Sequence, residues 1–364
     1  MTAPETTPIT NTSYSEKYRG NGAWAALTKP PETPLFTASE KLRLSPSALS
    51  SYYRCPRQFY YSSVLRLSSE SGPHAQLGIL VHRVMEAFNK GFVSGELETY
   101  SLANLLAVLD RLFFPDDNST GKRLPELESL TQMAQLELHA KLRQSFEDMA
   151  AKGYFNRSVQ TIEAEKAIQI NTELNPISIS GLEQCELVAK LDALIQDENG
   201  QWDIVDYKYY GPNRYKGKTP SDGKMAESLL HALTPLDPDA KSHADRFKST
   251  ESKPRDPQLP FYYLLSQQEP ELKGKIRQVS LQLIRPPFPD NPAQGAIALT
   301  LEPSRIEESL ADWILDLRQY VVEPALSANV FEAVPNQQTC GSCSYAAVCD
   351  ARSKSSETDD HERG

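Results

Sequence analysis

The segment from Leu187 to Lys208 carries Asp192, Asp206 and Lys208 in a pattern that suits metal-assisted hydrolysis. Two runs rich in strand formers, Leu187-Val188-Ala189-Lys190-Leu191-Asp192-Ala193-Leu194-Ile195 and Trp202-Asp203-Ile204-Val205-Asp206-Tyr207-Lys208, flank Asn199-Gly200 and read as a β-hairpin. Strand side chains alternate between faces, so Asp206 and Lys208 share a face with Ile204 while Tyr207 points the other way. A three-residue loop, Glu198-Asn199-Gly200, sets Asp197 against Gln201 and brings Asp192 opposite Asp206. A two-residue Asn199-Gly200 loop would bring Tyr207 there instead. Three-residue hairpin loops commonly end on a left-handed residue, and Gly200 occupies that position, so the odd loop is expected. Opposed carboxylates, with β-carbons about 4.5–5.5 Å apart, repel unless a cation lies between them. Oxygen ligands of this kind suit Mg²⁺ or Mn²⁺. Lys208 is then placed to hold or deprotonate an attacking water and to stabilise charge on a phosphoryl oxygen. A solvated hairpin face with charges at period two gives the same pattern, so the hairpin alone leaves both readings open.

A second group lies far away in the chain. Cys340, Cys343 and Cys349 are spaced C-x₂-C-x₅-C. In a reducing compartment such clustering points to metal ligation before disulfides. Three thiolates leave a position open on zinc or on an iron–sulfur cluster, and Cys55, at a helix end, is the natural fourth ligand. Spacing does not separate the two metals, nor exclude free thiols. Cys185, beside the hairpin, is the odd one out.

The elements that must position these groups follow from capping and periodicity. Ser45-Pro46 is an N-cap followed by proline at the first helical position, and that helix ends at Cys55-Pro56. Ile79, Val81, Val84, Met85 and Phe88 mark a helix over 78–90 with one buried face, carrying His82 and Glu86 one turn apart. Leu127, Leu130, Ala134, Leu138 and Leu142 predict helix over 124–152. From Ile162 onward short β-like runs appear, at 167–170, 177–180, 187–195 and 202–209. A helix at 257–265 starts behind Asp256-Pro257 and places Gln258 and Tyr262 on one face, for bracing the lysine, touching DNA or ordinary packing. A strand at 279–284 and a helix at 303–327 complete the body, and no internal repeat is visible. Between them, residues 211–256 form a long polar loop with a little helix at 224–233. Loops of that length are functional or disordered. Residues 1–41 and 351–364 lack the apolar surface to offset ordering entropy and read as disordered tails around an ordered body at 42–350.

Composition narrows the class. The chain has 364 residues and carries 38 Lys+Arg against 48 Asp+Glu, a net charge of −10. An acidic balance argues against a passive DNA-coating protein, which needs positive charge to displace counterions, but not against a local nucleic-acid site. No run approaches a membrane span and no secretory apolar stretch opens the chain, so a cytoplasmic location is expected. No G-x-x-x-x-G-K-[ST] sequence occurs, so ATP-driven unwinding would have to come from a partner.

Taken together, these residues resemble the PD-(D/E)XK nuclease superfamily, and within it the RecB-like nucleases with an iron–sulfur staple, of the AddB and CRISPR adaptation type. Leu44-Ser45-Pro46-Ser47 through Cys55-Pro56 resembles the first-cysteine motif, and Gly78-Ile79-Leu80-Val81-His82 the G-x-x-x-H helix. Lys190-Leu191-Asp192 and Val205-Asp206-Tyr207-Lys208 resemble the two catalytic strands, Gln258-Leu259-Pro260-Phe261-Tyr262 the Q-L-x-x-Y helix, and Cys340, Cys343 and Cys349 the closing cysteines. The resemblance implies an α/β, restriction-endonuclease-like mixed sheet flanked by helices, with a helical insertion at about 91–155. Asp192, Asp206 and His82 would be Mg²⁺ or Mn²⁺ ligands, with the Tyr207 carbonyl beside them and Lys208 as the catalytic lysine. Glu165, read as lying just before the first strand, competes with Glu163 for a place near the metal. Cys55, Cys340, Cys343 and Cys349 would hold a [4Fe-4S] cluster that closes a loop of roughly 285 residues.

The implied activity is metal-dependent cleavage of DNA, single-stranded and from an end, in recombination or repair beside a helicase. The alternative is a catalytically silent DNA-end-binding or scaffolding subunit of a helicase–nuclease complex. The chain departs from the pattern in having Ala189 and Ala193 where G-x-x-D-R is usual, and Tyr209 where Thr or Ser follows the lysine. Arg214, Lys216, Lys218 and Lys224 in the long loop would track a phosphate backbone or form a solvated linker.

Overall fold

The computed structural model describes residues 30, 35–36, 40–67, 73–115, 124–128, 130–171, 182–209, 230–248, 255–287, 295–327, 330–335, 337–341 and 343–351. The expected tails lie almost wholly outside these residues. So do the predicted strand at 177–180 and the part of the polar loop that holds Arg214, Lys216, Lys218 and Lys224. No helix among the described residues is long and apolar enough to cross a membrane.

A six-stranded mixed sheet carries the fold. Its strands are β1 (Leu42–Leu44), β2 (Thr161–Asn171), β3 (Cys185–Gln196), β4 (Trp202–Tyr209), β5 (Ile276–Ile284) and β6 (Ile297–Leu301), in the order β1-β3-β4-β5-β6 with β2 also on β3. Strand β2 runs antiparallel along one edge of β3, from Thr161↔Gln196 to Asn171↔Glu186. The other edge is shared. β1 pairs in parallel with the start of β3, from Leu42↔Cys185 to Leu44↔Leu187, and β4 pairs antiparallel with its end, from Ala193↔Val205 to Gln196↔Trp202. Strand β4 then leaves β3 and stays parallel with β5 as far as Tyr209↔Ile284. The stretch of β3 that ends at Asp192 therefore faces a cleft between diverging strands.

The hairpin loop is the odd one expected. Asp197 N–H donates to the Gln201 carbonyl at 2.9 Å, and Gly200 has φ +75°, the left-handed region that glycine enters without a Cβ clash. Asp197 Oδ1 accepts from the N–H groups of Asn199 and Gln201 at 2.9 and 3.0 Å, so its side chain caps the loop. The register carries Asp192 toward Asp206, but the ladder stops one pair short. There the Tyr207 N–H donates to Asp192 Oδ2 at 2.8 Å, so a side chain takes the place of a backbone partner.

Helices cover both faces: α1 (Pro46–Arg54), α2 (Pro73–Val93), α3 (Leu102–Phe113), α4 (Gln132–Ala151), α5 (Gln258–Ser266) and α6 (Pro303–Leu317). Leu187, Leu191, Leu194 and Ile204 pack into a core with α1, α5 and α6, whereas Ala193, Ile195, Val205 and Tyr207 pack into a second core with α2, α3 and α4. Along β3 the strict alternation thus slips between Leu191 and Ala193, at Asp192. Ser45 caps α1 by accepting from Ala48 N–H at 3.1 Å, and the helix ends on Cys55 as its capping pattern predicts. Ile79, expected on the buried face of α2, is exposed; Leu80 takes its place inside. The helix predicted over 124–152 is two helices, Pro125–Glu128 and α4, the second capped by Thr131 accepting from Ala134 N–H. A 3₁₀ turn at Leu230–Leu233 is the described part of the helix predicted at 224–233. The helix predicted over 303–327 passes through a π-helical turn at Arg318–Val322.

The helical segment between α2 and β2 reaches β4 through buried tyrosines. The Tyr154 and Tyr207 hydroxyls lie 2.8 Å apart, those of Tyr100 and Tyr154 2.9 Å apart, and Asn89 Nδ2 donates to Tyr207 Oη at 3.4 Å. This chain fixes the side chain of Tyr207 on the face away from Asp206 and Lys208. Removing the middle hydroxyl leaves Tyr207 and Tyr100 only their longer bonds to Asn89, at 3.4 and 3.3 Å, so Tyr154→Phe is expected to cost about 1–2 kcal/mol in urea unfolding. An unchanged midpoint would show that the chain carries no stability.

Candidate metal and hydrolase site

Three elements meet at the mouth of the cleft. Helix α2 brings His82, β2 brings Glu165 and β3 brings Asp192, and one ligand atom from each lies within 4.8 Å of the other two. Among the described residues this is the one group of three or more His, Cys, Asp or Glu gathered so closely. His82 Nδ1 and Asp192 Oδ1 stand 3.2 Å apart. Glu165 lies within β2, not ahead of it, and has φ +58°. That conformation is strained for any residue with a Cβ, by about 1–2 kcal/mol. It falls where the β2–β3 ladder skips a pair, between Ala164↔Ala193 and Lys166↔Leu191, which sets Glu165 opposite Asp192. Glu163, the competing candidate, is held by Lys166 at 2.8 Å. Glu86, one turn along α2 from His82, pairs with Arg83 and Lys90 instead.

Asp206 stands beside this group with a different set of partners. Its side chain is buried, and Gln258 Nε2 donates to Oδ1 at 2.5 Å, with the Tyr262 hydroxyl donating at 3.3 Å. Gln258 Nε2 also lies 2.6 Å from Tyr262 Oη, so the two residues that α5 places one turn apart act on one oxygen. The Asp256 carboxylate accepts from Gln258 N–H at 3.0 Å and fixes the start of that helix. Oδ2 meets the Lys208 ammonium at 2.9 Å in an ion pair. Burial pushes the Asp206 carboxyl up to about 7, with repulsion from Asp192 adding to it and Lys208 and His82 opposing. Burial is the largest influence on Lys208 and would lower it, but the charge and hydrogen bond of Asp206, with the charges of Asp192 and Asp256, together leave the ammonium above its ordinary value. Burial likewise holds the Tyr262 phenol well above its usual range.

The geometry thus brings together His82, Asp192, Asp206, Lys208, Gln258 and Tyr262, and adds Glu165 to the inner group. Tyr207 enters through its N–H on Asp192. Ala193 is wholly buried, so the site departs from the usual pattern at a position with no access to solvent.

The family model of the PD-(D/E)XK nuclease superfamily matches residues 43–229 and 238–350, most of the chain. The chain belongs to the PD-(D/E)XK nuclease superfamily. The mixed sheet with helices on both faces is the α/β architecture expected of a restriction-endonuclease-like nuclease. No curated protein matches the chain. The crystal structure of SSO0001 is 14 % identical, with 94 % of this chain and 96 % of that one covered at a TM-score of 0.32.

In this PD-(D/E)XK nuclease the four expected cysteines also converge. Cys55, Cys340, Cys343 and Cys349 line one cavity with Tyr61 and Arg57. Burial raises the Cys343 thiol, and the other three thiols raise it further, opposed by a backbone hydrogen bond at Tyr345. Val334 N–H donates to Cys55 Sγ at 3.4 Å. Arg57 binds the C-terminal segment three times: its Nε donates to the Phe331 carbonyl at 2.9 Å, its N–H to the Glu332 carbonyl at 3.3 Å, and its guanidinium pairs with Asp350. Cys185 is buried at the start of β3, apart from this cavity, and its thiol is pushed up to about 12 by burial.

The strain at Glu165 gives a stability test. Relief of the left-handed backbone offsets the extra chain entropy of glycine, roughly 0.5–1 kcal/mol, so Glu165→Gly is expected to leave unfolding free energy level or higher. A loss above ~1 kcal/mol would mean that the carboxylate supports the fold more than the site.

Proposed function

We propose that the chain is a Mg²⁺- or Mn²⁺-dependent deoxyribonuclease of the RecB-like kind that hydrolyses single-stranded DNA from an end, in recombination or repair in the cytoplasm, beside a helicase. The observation that carries this reading is the His82–Glu165–Asp192 group with the Asp206–Lys208 pair next to it. Two carboxylates and one imidazole form a mainly oxygen donor set of the type that Mg²⁺ and Mn²⁺ accept, and the imidazole suits Mn²⁺. The strained backbone at Glu165 supports a functional carboxylate, since strain persists where the surroundings over-determine it. In this reading His82, Glu165 and Asp192 hold the ion, with Asp206 and the Tyr207 carbonyl on its inner side. A bound divalent ion supplies a lowered pKa for water and neutralises a phosphoryl oxygen. Lys208, kept as an ammonium by Asp206, orients the attacking water as a donor and faces the charge that develops on phosphate, while Gln258 and Tyr262 keep the Asp206 carboxylate aimed. Arg214, Lys216, Lys218 and Lys224 supply positive charge for a phosphate backbone.

The cysteine cavity supports a [4Fe-4S] cluster as a staple between the two ends of the domain. Four thiols on one cavity are a ligand set that zinc or an iron–sulfur cluster accepts, and the resemblance to nucleases with an iron–sulfur staple favours the cluster. Cys55→Ala in anaerobically purified protein is expected to lose its bound iron and to unfold at lower denaturant. Unchanged iron content would contradict this assignment.

The deciding assay is Mg²⁺- or Mn²⁺-dependent cleavage of single- and double-stranded DNA. Lys208→Ala is expected to lower the rate at least ~10²-fold with the fold unchanged. Product lengths and end-blocked substrates report polarity and end dependence. A folded, cluster-loaded protein that cuts neither substrate would instead be an end-binding subunit.

A further inference from the structure

Three lysines lie around the cleft, and they differ in how they are held. Lys208 is committed to the buried Asp206. Lys166 is paired with Glu163 at 2.8 Å and has a second carboxylate, Glu271, at 3.9 Å, and its side chain is only 18 % exposed. Lys190 is different. It sits two residues before Asp192 on β3, and its side chain is 62 % exposed although its ammonium pairs with Glu165, whose side chain is 13 % exposed. The carboxylate is thus the fixed partner and the lysine the movable one. That same carboxylate belongs to the three-residue group with His82 and Asp192.

Resting on the nuclease reading above, we infer that Lys190 is a substrate-phosphate contact held in reserve. In the free protein its ammonium neutralises Glu165, and a divalent cation that takes Glu165 frees it for the nucleic-acid backbone. The physics is competition for one carboxylate. Two positive charges that share Glu165 in a half-buried site repel each other, and the long, exposed stem lets the lysine swing outward at little cost. An outward ammonium at the mouth of a phosphodiester site meets backbone phosphate as its nearest anion. Cation loading and substrate binding are then coupled, and linkage requires the coupling to run both ways.

The test uses binding without cleavage. Fluorescence anisotropy of a labelled single-stranded oligonucleotide is followed in Ca²⁺ and in EDTA across a NaCl series, for the full chain, Lys190→Ala and Lys190→Arg. Mn²⁺ affinity is measured by calorimetry without DNA. In Ca²⁺ the alanine variant is expected to bind roughly tenfold more weakly. Its salt slope should be shallower by about 0.7, the share of one phosphate contact on a single strand. Arginine should restore both. In EDTA the wild-type protein and Lys190→Ala should differ little, because the lysine is still on Glu165. Mn²⁺ should bind Lys190→Ala several-fold more tightly, since its internal competitor is gone. Unchanged affinity and slope in Ca²⁺, or an equal loss in Ca²⁺ and EDTA, overturns the inference while leaving the nuclease reading intact. Absence of any Ca²⁺-dependent DNA binding by the wild-type chain would instead sink the nuclease reading, and this inference with it.

Discussion

A carboxylate without access to water has to be neutralised by its neighbours, and the fold is arranged around that constraint at Asp206. Its charge is balanced by Lys208, two residues along the same strand face, and its other oxygen is held by Gln258 and Tyr262 from α5. Gln258 and Tyr262 reach it because α5 packs on the face of the sheet that Ile204 shares. From Trp202 to Val205 β4 pairs with both neighbours, and beyond Val205 it follows β5 alone and leaves β3. The cleft is the space left by that choice, and Asp192 meets it with a side chain bonded to a backbone N–H.

The opposite face of β4 is secured independently. Tyr207 points into the chain of hydroxyls shared with Tyr154 and Tyr100, so the residue between Asp206 and Lys208 is anchored from behind. Behind the hairpin loop, buried Asp203 is satisfied by Arg277 and Gln278, with Arg277 also reaching Asp197. The strand that carries the Asp206–Lys208 pair is thus clamped at its loop end and along its rear, so the two charges are held in fixed relation.

Much of this was legible in the sequence because it depended on local rules. Loop length and the glycine at position 200 set the hairpin register, capping chemistry set α1 and its end at Cys55, and the spacing of Gln258 and Tyr262 set their common face. What was not legible depended on departures from those rules. Glu165 and Glu163 are indistinguishable by period, and only the left-handed backbone at Glu165 turns one of them toward His82. The pairing of Lys190 with Glu165 arises from β2 running along β3, a contact between distant segments with no local signal. β1 and β6 are short, three and five residues, and too brief for alternation to reveal them. The break at Thr131 is a cap hidden inside a continuous apolar period.

The clasp made by Arg57 has a consequence for how the molecule comes into being. Arg57 and Asp350 are 293 residues apart in sequence, so the segment carrying Cys55 leaves the ribosome long before its partner is made. At synthesis rates of about 5–20 residues per second, that interval is on the order of 15–60 s. Throughout it Cys55 stays without the cavity it shares with Cys340, Cys343 and Cys349, and β1, which precedes α1, waits for β3. Contacts of such sequence separation are slow to form even in a complete chain. The clasp therefore closes only after residues 330–350 have been made, and until then the Cys55 thiol lacks the packing that covers it in the folded chain.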